Sequence, residues 1–536
     1  MQNRNDFLDL VIYQVYPRSF CDSDGNGIGD IKGIQSKLGY LQELGVNAIW
    51  LSPCYKSPNY DNGYDISDYR DIQPDFGTFE DWKSLIDDMH SRGMKLFMDL
   101  VVNHTSSHHF WFKEASKSRN NPYHDYYIWA DKPRNDWKSV FGGSAWEYNK
   151  QTDEYYLHSF AIQQPDLNWE NPKVRKEACD IVDYWVKLGV DGFRCDVLDF
   201  IAKDFENDLM LNGPKLHEYI NLLFGRDNVK HIFTIGECQS DEKSIADICG
   251  ETRGELTTVF QFDHIPLGRE NKYTPSEINY NTLRDVLVKW QSFSAKNNLL
   301  YMLFTDNHDQ PFYLSRMGKD EVNHYECATF LASIFYLLKG IPLVYQGQEF
   351  GSLNSYYEDI NDFDDIETVN YYNEQKGKKD NALLIKEINY GSRDNTRRPI
   401  AWTNDETSSF GFTTGKPWLK MPSKAKKVNL EKDLKSEKSI FYFYKRLFDL
   451  RKREKCIRRG DFIDLTSQKD CFVFLRRDEK DEIIVLCNFE KEQKIKLPDL
   501  MKNYKYELLL SNYTHPRTFD HSLRPFEVLI YKKVSL

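Results

Sequence analysis

The sequence predicts an α/β fold: a (β/α)8 barrel with a small domain inserted after its third strand and an antiparallel β domain at its C-terminus. Three observations predict it. Short apolar, β-branched runs alternate with segments of helical periodicity from residue 10 to residue 453, the rhythm of parallel strands joined by crossover helices. Several of these runs end on carboxylates: Val190 to Asp196, Ile232 to Glu237, and Leu299 to Phe304 leading into Asn307-His308-Asp309. Carboxylates at strand ends are what a barrel enzyme presents at its C-terminal mouth. Beyond residue 460 the pattern becomes short alternating runs, as in an antiparallel sheet.

The elements follow in order. Leu10 to Tyr16 is the first strand, Asn47 to Leu51 the second and Met94 to Val102 the third. Ile34, Leu38, Leu41 and Leu44 mark one helix face; Thr78 caps a second helix carrying Phe79, Trp82, Leu85, Ile86 and Met89. Residues 105–170 break the rhythm. They are rich in Ser, Asn, His, Trp and Tyr, show no amphipathic helix, and are too long for an ordinary connection, so they read as an inserted domain. A helix on Val174, Ala178, Ile181, Val182, Trp185 and Leu188 restarts the alternation. Strands are then expected at 190–196, 231–237, Thr258 to Asp263, 299–304 and Pro342 to Tyr345, with helices near 213–225, 240–249, 281–295 and 322–338. Residues 347–438, charged and rich in Tyr and Asn, form an excursion over the barrel mouth, and Ser439 to Arg453 is the last helix. The barrel thus spans residues 1–104 and 171–459, and the C-terminal β domain residues 460–536.

A net charge of −11, from 71 basic and 82 acidic residues, favours neither nucleic acid nor an anionic membrane as partner. No run approaches the ~20 apolar residues that span a bilayer, and Met1 to Asp6 contain no apolar leader core. The ten cysteines stand singly, with no CxxC pair. The reading is a reduced, soluble, cytoplasmic monomer. Aromatic residues make up 15 % of the chain; most belong to the core, and such a content also suits stacking on sugar rings.

After the first strand, Asp22-Ser23-Asp24-Gly25-Asn26-Gly27-Ile28-Gly29-Asp30 places oxygen side chains at alternate positions. Asp22, Asp24, Asn26, the Ile28 carbonyl and Asp30 match the first five ligand positions of a calcium loop, with Gly27 at the sharp turn. Gly33 stands where an EF-hand needs its closing Glu. The loop is therefore no EF-hand, and either a structural Ca²⁺ site or a polar Asx-turn loop satisfies the pattern.

Asp196, Glu237 and Asp309 permit retaining glycoside hydrolysis: Asp196 as nucleophile, Glu237 as acid/base, and Asp309 on sugar hydroxyls and developing positive charge. Crowded carboxyls raise at least one pKa, as an acid at neutral pH requires. Arg194, one pleat repeat before Asp196, can hold that nucleophile ionised. His104 and His308 are hydrogen-bond donors to hydroxyls; no HExxH or HxH supports a metal site for them.

The blocks Asp99-Leu100-Val101-Val102-Asn103-His104, Gly192-Phe193-Arg194-Cys195-Asp196-Val197, Gly236-Glu237 and Asn307-His308-Asp309-Gln310 carry a resemblance. The chain is similar to the α-amylase family (glycoside hydrolase family 13), in its oligo-1,6-glucosidase and α-glucosidase branch. Asn62-Gly63-Tyr64-Asp65-Ile66, Gln164-Pro165-Asp166-Leu167-Asn168-Trp169, Tyr345-Gln346-Gly347-Gln348-Glu349 and Arg393-Asp394-Asn395 also match. The resemblance implies exo-acting hydrolysis of short α-glucosides, with Asp61, Tyr64, His104, Arg194, His308 and Arg397 holding the terminal glucose. Val197, directly after the nucleophile, accompanies α-1,6 preference in this branch. Asp199, Phe312 and Gln348 depart from the family pattern, the first two near the expected aglycone side, which leaves sucrose open as a substrate. A trehalose-6-phosphate hydrolase is the nearest alternative and would need basic groups facing a phosphate, with Lys416 and the 420–427 lysines as candidates. A non-catalytic transporter heavy chain is disfavoured by the intact carboxylates, and a polymer-degrading endo-amylase by the lack of an export signal.

Overall fold

The structure, a computed structural model, describes residues 4–534 except 252, 318–321, 503 and 516–521. Eight parallel strands make the central sheet: β1 (Ile12–Val15), β2 (Ala48–Leu51), β3 (Lys95–Leu100), β4 (Gly192–Cys195), β5 (Phe233–Gly236), β6 (Thr258–Val259), β7 (Met302–Leu303) and β8 (Ile341–Tyr345). Their order is 6-5-4-3-2-1-8-7. β1 lies between β2 and β8, with Ile12 opposite both Ala48 and Leu343. A single parallel bridge, Val259 to Tyr301, joins β6 to the start of β7 and closes the barrel.

The strands read as continuous apolar runs because both faces are buried. Outward residues such as Tyr13, Val15, Ile49, Leu51, Leu96 and Met98 enter the core shared with the helices. The alternate set, including Ile12, Ala48, Trp50, Phe97, Phe233, Ile235 and Leu343, fills the barrel interior. β6 and β7 are shorter than the runs 258–263 and 299–304 suggested. Beyond Val259 the chain leaves the ladder, and the rings of Phe260 and Phe262 pack on Phe304 across that joint.

Around the barrel, α1 (Phe79–Ser91) begins with the expected Thr78 cap, completed by Asp81 into a capping box. α2 (Pro172–Lys187) starts on an Asn171 cap with Pro in the first turn, and α3 (Ile440–Arg453) on a Ser439 cap. The single helix expected over residues 34–44 is instead two, Ile31–Ser36 and Leu38–Leu44, broken at Lys37.

The inserted segment contains a three-stranded antiparallel sheet of Trp129–Ala130, Trp146–Asn149 and Glu154–Leu157. It also holds one short amphipathic helix, Phe110–Ala115, burying Trp111, Phe112 and Ala115. At six residues that helix is too short for periodicity to reveal. The excursion after β8 brings Ile366–Gln375, Asn381–Gly391 and Asp394–Arg397 to the mouth. The C-terminal sheet orders β9 (Asp461–Asp464), β10 (Cys471–Arg477), β11 (Glu482–Asn488), β12 (Tyr506–Ser511) and β13 (Val528–Lys533) as 9-10-11-13-12, all antiparallel. Among the described residues no helix is long and apolar enough to cross a membrane. All ten cysteines are free thiols.

Candidate active site

Along β3 and β4 the inward positions change from apolar to polar at the C-terminal end of the barrel. Asp99 and Arg194 are direct register partners there. Arg194, 2 % exposed, donates from Nη1 to Asp99 Oδ1 at 2.7 Å and Asp196 Oδ1 at 2.6 Å, and from Nη2 to Glu237 Oε2 at 2.5 Å. Trp50 Nε1 and the Tyr64 hydroxyl each donate to Asp99 Oδ2 at 3.0 Å.

One cation thus serves three carboxylates, and its charge favours the ionised form of Asp196 against burial. Burial pushes the Asp196 carboxyl well up; Arg194 pulls it down, and the negative charges of Glu237 and Asp99 push it up again. Burial likewise raises Asp99 to about 6.

Val197 follows Asp196 in the left-handed region, φ 36° and ψ 48°, a strained conformation for a β-branched residue. The turn aims the Val197 N–H at Glu237 Oε2, 3.1 Å away. Its side chain packs with Phe141, Phe160 and Phe200 on the cavity wall.

Asp309 faces these groups across a cavity of about 470 Å³. The Gln14 amide donates to His308 Nδ1 at 2.8 Å, leaving Nε2–H to donate to Asp309 Oδ2 at 3.1 Å. The His308 ring stacks on Tyr64, centroids 5.1 Å apart, and burial pushes its pKa down to about 3, so it works as a neutral donor. Burial opposes ionisation of Asp309, but His308, Arg397 and Arg393 hold its carboxyl well below the usual range. His104 is buried and kept neutral, at about 4, by the same desolvation; Asn103 Nδ2 lies 3.1 Å from its Nδ1.

The structure brings Asp61, Tyr64, His104, Asp196, Val197, Glu237, His308 and Asp309 onto one cavity. Arg194 lies beneath, and Arg397 behind: fully buried, it donates to the His308 carbonyl (2.8 Å) and Asp309 Oδ1 (3.0 Å). The arginine on the cavity wall is Arg393, which reaches Asp61 Oδ1 (3.2 Å), Asp309 Oδ1 (3.3 Å) and Asp365 Oδ1 (2.6 Å). Sequence reasoning quoted Arg393 only within a matching tripeptide and missed Asp365, which no motif marks. Phe312 does not line the cavity; it packs against Tyr345. Gln348 lies behind β8, its amide shared by Thr305, Tyr336 and Tyr444.

Chain residues 14–460 match the family described as alpha amylase, catalytic domain. The chain belongs to the α-amylase family. It is 41 % identical to an oligo-1,6-glucosidase of Bacillus cereus and 43 % identical to one of Parageobacillus thermoglucosidasius, each match covering 98 % of both chains. The crystal structure of a trehalose-6-phosphate hydrolase mutant from Bacillus licheniformis superposes with a TM-score of 0.93 at 37 % identity, over 99 % of this chain and 100 % of that one. An isomaltulose synthase mutant of Erwinia rhapontici in complex with sucrose superposes with a TM-score of 0.91 at 34 % identity, over 98 % and 99 %. The chain is therefore a glycoside hydrolase.

In the loop after β1, ligand oxygens of Asp22, Asp24 and Asp30 all lie within 4.8 Å of one another. Asn26 Oδ1 accepts the Ile28 N–H at 2.8 Å. Asp22 Oδ2 also accepts the Gly27 N–H (2.8 Å) and the Thr413 hydroxyl, so the excursion is stitched to this loop. An all-oxygen donor set with three converging carboxylates fits a hard divalent cation.

Proposed function

We propose that this enzyme is a retaining, exo-acting α-glucosidase that releases glucose from the non-reducing end of short α-glucosides, with preference for α-1,6 linkages. The observation that carries it is one guanidinium touching both Asp196 and Glu237, which keeps the pair close, as retention with its ~5–5.5 Å carboxyl separation requires. The Asp196 carboxylate attacks the anomeric carbon while Glu237, as the acid, gives a proton to the leaving oxygen. The resulting glucosyl ester is hydrolysed by a water whose proton returns to Glu237, and Asp196 leaves as the carboxylate. Asp309, kept ionised by its arginines, holds ring hydroxyls and faces the oxocarbenium charge.

The ion pairs of Arg393 with Asp61 and Asp365 on the cavity wall support exo action, as a fixed wall against which a terminal sugar would sit. Val197 supports the linkage preference as an apolar wall without a hydroxyl, and the oligo-1,6-glucosidase relatives point the same way. Rates on isomaltose, maltose, sucrose and trehalose 6-phosphate at equal concentration, with Asp196→Asn as control, test this. Isomaltose should lead; a wild type no faster than the control on all four would end the glucosidase reading.

One observation favours the phosphorylated disaccharide as a second reading. Arg269 lines the far side of the cavity with no carboxylate in ion-pair range among the described residues, its hydrogen bond going to Gln310 Oε1 at 3.2 Å. Burial and the neighbouring Arg316 push its pKa down to about 10, an imbalance that an anionic leaving sugar would relieve. Trehalose 6-phosphate ahead of isomaltose would select this reading. We further propose that Asp22, Asp24, Asn26, Ile28 and Asp30 hold a structural Ca²⁺, and that the enzyme works as a cytoplasmic monomer.

A further inference from the structure

Behind Glu237 lies a carboxyl that the mechanism above does not use. Asp199 sits in the short helical turn after Val197 and is fully buried. Its Oδ2 accepts the Gln239 N–H at 2.7 Å and lies 3.0 Å from Ser240 Oγ; its Oδ1 has no partner. Ser240 Oγ is also 2.8 Å from Asn212 Oδ1, and Asn212 N–H donates to the Asp199 carbonyl at 2.9 Å. The Ser240 hydroxyl has one proton and faces two acceptors. With the Asn212 carboxamide oxygen toward Ser240, a proton on Asp199 completes the count: Asp199 donates to Ser240, and Ser240 donates to Asn212.

This chain ties together the two strand tips that carry the reacting pair. The same tips are joined by Glu237 N–H to the Cys195 carbonyl, Leu198 N–H to the Glu237 carbonyl (each 3.0 Å) and Val197 N–H to the Glu237 carboxylate. Gln239 and Ser240 line the cavity just beyond Glu237. The groups facing Asp199 are Glu237 and the Cys238 thiol from the β5 tip and Lys203 from beyond its own turn. The Lys203 ammonium is taken by Asp166 at 2.8 Å, so among the described residues no unpaired cation rewards an ionised Asp199. Burial, with Glu237 adding to it, pushes its carboxyl up to about 7.

We propose that Asp199 is a positioning residue that acts in its protonated form, holding Gln239 and Ser240 against the leaving sugar and fixing the tip of Glu237 relative to Asp196. Its ionisation turns the Ser240 hydroxyl from Asn212 to the carboxylate and places a second negative charge beside Glu237. The inference rests on Asp196 and Glu237 being the reacting pair, and its test separates the two claims.

The test is the pH dependence of kcat/KM for isomaltose and for p-nitrophenyl α-glucoside in wild type, Asp199→Asn, Asp199→Ala and Ser240→Ala. Wild type should lose isomaltose activity on the alkaline side as Asp199 ionises. Asp199→Asn, the neutral isostere that keeps a donor toward Ser240, should hold its isomaltose activity to higher pH than wild type, whereas Asp199→Ala should lose about tenfold throughout from the loosened tip. The aryl glucoside, whose leaving group needs little protonation, should lose much less. Ser240→Ala breaks the chain without touching the carboxyl and should reproduce the substrate-selective loss if Asp199→Ala folds poorly. Alkaline limbs of equal midpoint in wild type and Asp199→Asn would overturn the proposal while leaving the glucosidase reading intact. Absence of wild-type activity would instead overturn that reading and this proposal together.

Discussion

Arg194 distributes two nitrogens over Asp99, Asp196 and Glu237 and lies under the rings of Trp50 and Tyr64, 5.1 and 5.7 Å from their centroids. A lysine keeps the charge and loses the planar fork. Arg194→Lys should therefore lower kcat by ~10²–10³, the range seen when one preorganised electrostatic donor is removed, and steady-state rates on isomaltose read it. A lysine variant at wild-type rate would show that the fork is not what organises the pair. Val197→Thr places a hydroxyl on the wall and should shift the isomaltose-to-maltose rate ratio toward maltose by ~1–3 kcal/mol of discrimination; an unmoved ratio would take linkage choice away from this residue. Residues at this scale were legible where they belong to strands. Asp196, Glu237 and Asp309 end buried runs, so backbone periodicity points them into the cavity. Arg393 and Asp365 were not, because they come from an excursion with no period, and only the folded chain brings residue 365 to residue 61.

At the scale of elements, the eight strands could be read because both of their faces are buried, whereas the break at Lys37 and the six-residue helix at Phe110 have no length over which a period could show. The turn after β8 offers an element-level test. Glu349 in that turn accepts from the Tyr13 hydroxyl on β1 at 2.8 Å and the Tyr40 hydroxyl on the helix before β2 at 2.6 Å, and its Oε2 has no partner. Burial raises its carboxyl to about 7. A folded pKa above the unfolded one means the fold binds the extra proton. Its stabilising effect is full below the unfolded value and is lost as pH rises through the folded value, so stability should fall between about pH 5 and pH 8. Glu349→Gln should flatten that part of the melting-temperature profile. A variant whose profile declines as steeply as wild type would place the dependence on other carboxyls, with Asp306, raised to about 6 by its own burial, the next to replace.

For the whole molecule, the proposed cation site joins the first loop of the barrel to the excursion that roofs it, through Asp22 and Thr413 and through Trp418 N–H to the Gly27 carbonyl at 2.9 Å. Adding a chelator should lower the melting temperature, and Ca²⁺ should restore it. The rate at low temperature should hardly change, since none of these residues lines the cavity. A melting temperature indifferent to both additions would remove calcium from the loop and leave its Asx turns to stand alone. The barrel and the C-terminal sheet were foreseeable from the change in period near residue 460, but this tie was not, because it joins two loops.

That tie spans 391 positions of the chain. A growing polypeptide emerging from the ribosome exposes Asp196, Glu237 and Asp309 well before Arg393, Arg397 or Thr413 exists. Until those later residues arrive, the three carboxylates have neither the cations that hold Asp309 ionised nor a roof over the first loop. The order of synthesis therefore acts as a timer: hydrolytic competence comes late, once the excursion exists to fold back over the mouth.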